Sequence, residues 1–285
     1  MAKHPCKVIL LAASVLLSSC REGVLDPHGP VGTAEKLMLY DATVIMLAVV
    51  VPVILMTLGF AWWFRAGNAS AQYRPDWEYA GRIEVITWSI PALVILFLGG
   101  MAWVGAHLLD PPRALKSDSA PLEVQVVSTD WQWLFIYPGQ HIASLNHLVI
   151  PTGVPVRFSL TSTSVMNSFF IPQLGSQIYT MAGMTTHVNL QADSQGKYRG
   201  ISAQFSGEGF ADMRFDVDAV AAAGFDTWVS EARASGQILD AATFAQLAIP
   251  TRAKGIATYA AVSGGLFEAI AAGHLPAATA AVARH

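Results

Sequence analysis

Two long apolar stretches near the N-terminus limit what this chain can fold into more than any other feature of its sequence. They cover about residues 37–64 and 85–109. Each is longer than the ~20 residues that a helix needs to cross the hydrocarbon core of a bilayer. Pro52 and Pro91 lie inside them, which membrane-spanning helices tolerate when neighbouring groups satisfy the freed backbone. These lengths predict a two-helix transmembrane hairpin rather than two core helices of a soluble protein.

The composition agrees with membrane segments attached to a soluble part. Apolar residues make up 53% of the 285-residue chain and charged residues only 13%, unlike an ordinary soluble domain. The formal net charge is −3 without a basic block, which argues against a nucleic-acid partner. The only two cysteines, Cys6 and Cys20, cannot form a disulfide framework.

The first twenty residues have the pattern of an export signal. Lys3 and Lys7 precede an apolar run at residues 8–17, and small residues then lead to Cys20. This order resembles a bacterial lipoprotein signal, which implies that residues 1–19 are a signal peptide and that Cys20 carries a fatty acyl chain such as palmitate. The alternative is a plain signal peptide in which the cysteine is incidental.

An exported N-terminus also fixes the expected orientation of the hairpin. The first helix then runs inward and the second outward, so that residues 65–82 form a cytoplasmic loop. This loop carries three arginines against two carboxylates, which agrees weakly with the positive-inside rule. We expect residues 20–110 to hold the N-terminal segment and the hairpin in the inner membrane, and everything beyond to lie in the periplasm.

After the linker Asp110-Pro111-Pro112 the pattern changes to short alternating runs separated by turn signals. Runs of this spacing predict a Greek-key β-sandwich over residues 111–218. The most aromatic run, residues 131–137, reads by strand alternation as half core and half surface, with the surface half available to a partner subunit. The expected strands are 122–127, 131–137, 148–150, 154–160, 168–171, 187–191, 197–201 and 212–217.

The segment 219–285 is rich in alanine and predicts short C-terminal helices and a tail. Its first helix is indicated by apolar residues at helical spacing between Phe225 and Ala232. Asp240 is a candidate cap for a helix over residues 241–248. Residues 266–270 predict another short helix, and we expect disorder from about residue 275.

Residues 201–216, between two strand-like runs, resemble the dinuclear-copper loop of cytochrome c oxidase subunit II. The pattern in that family is Cys-x-Glu-x-Cys-x-x-x-His-x-x-Met, with one earlier His. Of the six ligand positions only the methionine is kept here. The corresponding residues are Asn167 for the earlier His, Ser202 and Ser206 for the cysteines, Gln204 for Glu, Phe210 for the second His, and Met213.

The resemblance to this loop implies that the sandwich is cupredoxin-like, and the chemistry of the replacements predicts that it binds no copper. Two copper ions bridged by sulfur require soft thiolates, and neither a serine hydroxyl nor a phenyl ring replaces them. His141, His147 and His187 lie on separate runs without ligand spacing, so we assign none of them to a metal.

Glu84 stands at the N-terminus of the second apolar stretch, in residues 83–91, and permits two interpretations. A carboxylate there is favoured by the helix dipole, by ~0.3–1 kcal/mol. It can also collect protons at the membrane edge for a neighbouring subunit. Subunit II of the haem-copper oxidases has a Glu at this place, at the mouth of the proton channel named after a lysine, so the resemblance favours the second interpretation.

Several further segments agree in order with one branch of that family. Together they resemble subunit II of the cytochrome bo-type ubiquinol oxidases over nearly the whole chain. The run 166–184 is specific, because it is shared with quinol oxidases and lacks the copper His. The segments are 84–91, 130–138, 165–172, 174–179, 181–184 and 200–213.

The resemblance implies a non-catalytic subunit of a proton-pumping terminal oxidase in an aerobic respiratory chain. Ubiquinol is oxidised and oxygen is reduced to water in subunit I, which holds the haems and the copper. This chain contributes assembly contacts with subunit I and the smaller membrane subunits, the outer cap and Glu84, without a cofactor or catalytic residue of its own.

Three alternatives remain open from the sequence. One is subunit II of a menaquinol oxidase, which has the same architecture. Another is an exported, membrane-anchored scaffold or binding protein that kept the sandwich outside any oxidase. The third is a copper electron carrier with unusual ligands.

Overall fold

The structure, a computed structural model, describes residues 23–72, 74–117, 119–251 and 255–274. The expectations for the signal peptide, Cys20 and the tail from residue 275 therefore lie outside the described residues. The chain divides into two compact units, one formed by Lys36–Asp110 and the other by Met1–Glu35 with Pro111–His285. Each unit is described by itself.

Two long helices dominate the N-terminal part of the chain. Helix α1 spans Pro30–Trp63 (34 residues) and α2 spans Gly81–Leu108 (28 residues). Both are long and apolar enough to cross a membrane, with mean hydropathies of 2.7 and 2.0 in windows that the chain itself does not bury. Helix α1 begins several residues before its apolar run because Pro30 occupies its first position, where a fixed φ and a missing N–H favour helix initiation.

The remaining elements follow in chain order and form the expected sandwich and arm. The ten strands of the sandwich proper are β1 Leu122–Thr129, β2 Gln132–Tyr137, β3 Ile142–Leu145, β4 His147–Pro151, β5 Val156–Ser162, β6 Asn167–Phe170, β7 Ile178–Thr180, β8 Thr186–Leu190, β9 Gly196–Ser202 and β10 Arg214–Val220. The C-terminal arm contains α3 Ala222–Ala234, β11 Ile238–Leu239, α4 Ala241–Leu247, β12 Ala257–Tyr259, β13 Ala261–Val262 and α5 Leu266–Ala271.

The strands form two main sheets that face each other. One has the order β12-β3-β2-β1-β5-β8 and the other β4-β10-β9-β6-β7, and a small pair joins β11 to β13. Within the main sheets the neighbours β1 with β5 and β4 with β10 are parallel, and the other pairs are antiparallel. Parallel neighbours far apart in sequence require the chain to cross between sheets, as a Greek-key sandwich does. The predicted fold class is thereby confirmed.

Aromatic side chains fill the space between the two sheets. The rings of Phe169 and Phe215 are stacked, with centroids 5.2 Å apart and planes at 9°. Trp133 contacts both of these rings, with centroid distances of 5.5 Å. Gly200 faces this cluster, and a β-carbon there would lie 1.9 Å from the Phe215 ring. The glycine therefore makes room for the ring stack.

The expectation that β2 is half exposed is wrong. All six of its residues are buried. Leu134 and Ile136, on the face turned away from the sandwich core, belong to a second apolar cluster with arm residues such as Phe244 and Phe267. The chain covers its own sheet, so that strand alternation does not give exposure here.

The segment before α1 and its first turn dock on loops of the sandwich. The backbone N–H of His28 donates to the carbonyl of Gln173 (2.7 Å), and its carbonyl accepts from the N–H of Asp193 (2.7 Å). The Gly32 N–H donates to the Leu174 carbonyl (3.0 Å). These paired backbone bonds fix the path by which the chain enters α1.

Candidate functional site

The copper-ligand positions of the resemblance are brought together at one end of the sandwich. Asn167 is the first residue of β6 and Ser202 the last of β9, and these strands pair antiparallel through Phe169 and Ser202. The chain then makes a loop and a single 3-10 turn at Phe210–Asp212, and Met213 follows immediately before β10. Two strand starts, those of β6 and β10, and one strand end, that of β9, thus form the frame of the site.

The side chains at this frame bond to one another. The Ser202 hydroxyl donates to Asn167 Oδ1 at 3.4 Å and to the Gln204 carbonyl at 3.3 Å. The Ser206 hydroxyl donates to the sulfur of Met213 at 3.8 Å. Asn167, Ser202 and Met213 are buried, so their polar groups need partners inside the protein, and this mutual bonding supplies partners for Asn167 and Ser202.

The side chains of the other two positions, Phe210 and Gln204, do not join this bonding. Phe210 packs edge-on against Phe205 with ring centroids 5.7 Å apart, and Phe205 is 73% exposed. Gln204 is half-buried and takes part in the site through its backbone carbonyl. The structure therefore gathers Asn167, Ser202, Ser206 and Met213 closely and leaves the Phe210 ring outside their bonding.

This donor set does not fit a dinuclear copper centre. It offers two hydroxyls, an amide and one thioether, whereas bridged copper requires thiolates. Within the part of the chain that the structure describes, no three His, Cys, Asp or Glu side chains lie together so as to hold a metal ion.

Trp131 is a site residue that the sequence reasoning missed. It has φ 70°, which is uncommon outside glycine, and its indole N–H donates to the Ser206 carbonyl at 3.0 Å. A β-carbon on Gly209 would lie 2.2 Å from the Trp131 ring. The glycines in Ser206-Gly207-Glu208-Gly209 were the signal, since they let a loop approach an aromatic ring closely.

Glu84 lies in the first turn of α2 and is exposed. The residue before that helix, Ala80, provides no side-chain cap. A first-turn carboxylate therefore compensates the helix dipole here, and its exposed position also leaves it open to protons. The geometry within this unit permits both interpretations of Glu84.

Comparison with known proteins decides the family. The family described as "Cytochrome C oxidase subunit II, periplasmic domain" matches residues 139–220, and the "COX Aromatic Rich Motif" matches residues 233–272. "Cytochrome bo(3) ubiquinol oxidase subunit 2" of Pseudomonas aeruginosa is 46% identical over 92% of this chain and 79% of its own length. This chain belongs to the ubiquinol oxidase subunit II family.

Other relatives of the family are similar in sequence to this chain over most of their length. "Ubiquinol oxidase subunit 2" of Acetobacter aceti is 47% identical, covering 92% of this chain and 86% of that protein. The Pseudomonas putida relative, named "Cytochrome bo(3) ubiquinol oxidase subunit 2", is 48% identical, covering 90% and 82%. The family resemblance inferred from the sequence is confirmed.

The two family matches of this ubiquinol oxidase subunit II chain correspond to its sandwich and its C-terminal arm. Residues 139–220 include most of the sandwich and all six copper-ligand positions from Asn167 to Met213. Residues 233–272 include the arm that covers the outer face of the larger sheet, with Phe244, Tyr259 and Phe267 among its buried aromatic residues. The aromatic motif thus supplies the apolar cover of β2.

Proposed function

We propose that this chain acts as subunit II of a proton-pumping terminal oxidase that oxidises ubiquinol and reduces oxygen to water. The observation that carries the proposal is the bonding of Ser202 to Asn167 and of Ser206 to Met213 at the end of the sandwich. In the copper-bearing family these positions hold the metal that receives electrons. Here they are bonded to each other, and relatives with the same overall sequence are named ubiquinol oxidase subunits.

The route of electrons follows from that replacement. A hydroxyl, an amide and a thioether do not accept an electron, so a soluble cytochrome would find no acceptor at the outer domain. The reductant must reach the complex through the lipid phase, and a quinol is a lipid-soluble two-electron donor. In this proposal the haems, the copper and the quinol site belong to subunit I, and this chain is non-catalytic.

Substrate assays and metal analysis test this proposal together. The purified complex should oxidise ubiquinol, with menaquinol assayed beside it to identify the quinone, and should leave a reduced water-soluble cytochrome untouched. The chain separated from its partners should contain no stoichiometric copper. Ready oxidation of the soluble cytochrome, or copper retained by the separated chain, would contradict the proposal. A chain that purified without any haem protein would favour the scaffold alternative.

Glu84 has a specific role in this proposal as the carboxylate that collects protons at the inner membrane edge. Glu84→Ala should slow oxygen reduction severalfold while the complex still assembles with its full haem content, because only proton supply is impaired. Glu78→Ala, which removes a nearby exposed carboxylate from the preceding loop, is the matched control. Unchanged turnover in the Glu84 variant would return this residue to a helix-dipole role of ~0.3–1 kcal/mol.

The proposal also includes the location and processing of the chain. We expect residues 1–19 to be cleaved as a signal peptide, Cys20 to be lipidated, and the domain from residue 111 to lie in the periplasm, with the arm from 219 beside it. Support comes from the two helices able to span a membrane and from the order of the N-terminal residues. Subunit I and the smaller membrane subunits are the partners in the inner membrane.

A further inference from the structure

The loop that joins α1 to α2 lines an open cavity that the oxidase function does not use. The cavity has a volume of about 900 Å³ and is widely open to solvent. This volume is within the size range of small-molecule sites, about 300–1,000 Å³. Its walls come from the end of α1 and the following loop, and they combine aromatic, amide and guanidinium groups. The lining residues used below are Trp63, Arg65, Asn68, Gln72, Arg74 and Trp77.

Both charged residues that line the cavity are arginines. The Arg65 guanidinium donates to the Trp62 carbonyl at 2.8 Å and lies 4.8 Å from the centroid of the Trp62 ring. The Arg74 guanidinium donates to Gln72 Oε1 at 2.8 Å. Since a guanidinium has five N–H donors, each of these neutral contacts orients the group and leaves most donors free.

The carboxylates of the same loop form no ion pair with these arginines among the described residues. Asp76 and Glu78 are absent from the cavity lining. In the described part of the chain neither Arg65 nor Arg74 takes part in an ion pair. The cavity therefore presents two unpaired positive charges to whatever enters it.

The end of α1, which would otherwise repel an anion, is already satisfied. A helix C-terminus carries a partial negative charge on its unpaired carbonyls. Here the Trp62 carbonyl accepts from Arg65, and the Trp63 carbonyl accepts from the Asn68 amide at 2.6 Å. Side chains of the loop thus reduce the negative potential at the cavity.

The aromatic walls point to a ligand with an apolar part. Trp63 is 47% exposed and Trp77 is 64% exposed, although both line a cavity beside the end of a long apolar helix. Tryptophan is enriched where hydrocarbon meets headgroups, because its ring is amphipathic. Paired arginines match the geometry and charge of a phosphate group.

We propose that this cavity binds the phosphodiester headgroup of an anionic membrane phospholipid, with Arg65 and Arg74 on the phosphate and the tryptophans against the glycerol and upper acyl chains. The site rests on the proposed crossing of the membrane by α1 and α2. A free phosphate shares the same chemistry but would leave Trp63 and Trp77 without a ligand to contact.

Photolabelling of the intact oxidase complex tests this site. A photoactivatable phosphatidylglycerol is compared with a photoactivatable phosphatidylcholine, and labelled peptides are mapped after pepsin digestion. Phosphatidylglycerol should label residues 63–77 preferentially and saturably. A surface arginine contributes about fivefold to binding of an anionic lipid, so the double variant Arg65→Gln and Arg74→Gln should weaken labelling roughly 25-fold.

The matched control removes two charges elsewhere, by Arg82→Gln and Arg199→Gln, and should leave labelling of the loop within about twofold, since neither side chain lines the cavity. Equal labelling by the two lipids, or persistence of labelling in the Arg65 and Arg74 variant, would overturn the site. Loss of labelling on addition of excess inorganic phosphate would assign it to free phosphate instead. Haem content and retention in carbonate-washed membranes, measured on the same samples, separate failure of this site from failure of the proposed function.

Discussion

Gly200 is a position in the sandwich core that has no room for a larger side chain. A β-carbon there would overlap the Phe215 ring, which is itself stacked on Phe169. Gly200→Ala should therefore lower the free energy of unfolding by about 1–3 kcal/mol, the usual cost of overpacking a core. Thermal unfolding of the full-length chain in detergent measures this. Gly139→Ala, where nothing lies within 4 Å of the added carbon, should change little, and an equal effect of both substitutions would contradict the account.

The stability of the same core depends on pH through Tyr137. Its hydroxyl is buried, donates to the Val149 carbonyl (3.1 Å) and accepts from the Val149 N–H (3.0 Å). Burial raises the pKa of Tyr137 above its ordinary value of 10.0. Above about pH 10 the unfolded chain then holds fewer protons at this residue than the folded one, so stability present at neutral pH is lost as pH rises.

Tyr137→Phe should therefore do two things. At neutral pH it should lower the free energy of unfolding by about 1–3 kcal/mol, because the Val149 backbone groups lose a partner. Above about pH 10 it should make the decline of stability with pH shallower, since one group that resists ionisation is gone. Unfolding curves at several alkaline pH values measure both effects, with the exposed Tyr179→Phe as control. If the free energy of unfolding declined with pH as steeply as in the unmodified chain, the pH dependence could not be assigned to Tyr137.

The candidate site could be located from sequence but its internal chemistry could not. The spacing of the loop pattern predicts that Ser202, Ser206 and Met213 lie together, because the loop between two neighbouring strands has a fixed length. It does not give the bond from Ser202 to Asn167 or the contact of Trp131 with the loop. Those depend on backbone conformation, such as φ 70° at Trp131, which no residue pattern specified.

At the scale of elements, the C-terminal arm buries one face of the larger sheet. Phe267 of α5 is buried in the cluster with Leu134 and Ile136 of β2. Phe267→Ala should lower the free energy of unfolding by about 3–5 kcal/mol, as other Phe→Ala changes in cores do. Ile256→Ala, at a position that is 55% exposed, is the control. Similar melting temperatures for the two variants would mean that the arm contributes little to the sheet.

The same arm explains where element prediction from sequence failed. Strand alternation assumes that one face of a sheet meets solvent, and the arm removes that condition for β2. The short strands β3 and β7, of four and three residues, were also missed. The helix over 241–247 was anticipated because Asp240 caps it locally, accepting from the Thr243 N–H at 2.8 Å.

At the scale of the whole molecule, the sequence and the structure together predict two means of membrane attachment in one chain. The sequence predicts an acyl chain on Cys20, and the structure contains two helices able to cross a bilayer. A single acyl chain gives only marginal, reversible binding, whereas a transmembrane helix inserts almost irreversibly. The helices should therefore dominate attachment, and lipidation should add little to it.

If the helices dominate membrane attachment, removal of the acyl site should leave the chain in the membrane. Cys20→Ser should abolish incorporation of labelled palmitate, yet the chain should stay in carbonate-washed membranes and still purify with haem, because α1 and α2 remain. Cys6→Ser, inside the predicted signal peptide, is the matched control and should keep the label. Release of the Cys20 variant into the soluble fraction would show that the helices do not anchor the chain. Label retained by that variant would place the acyl chain on another residue and overturn the lipoprotein interpretation of the N-terminus.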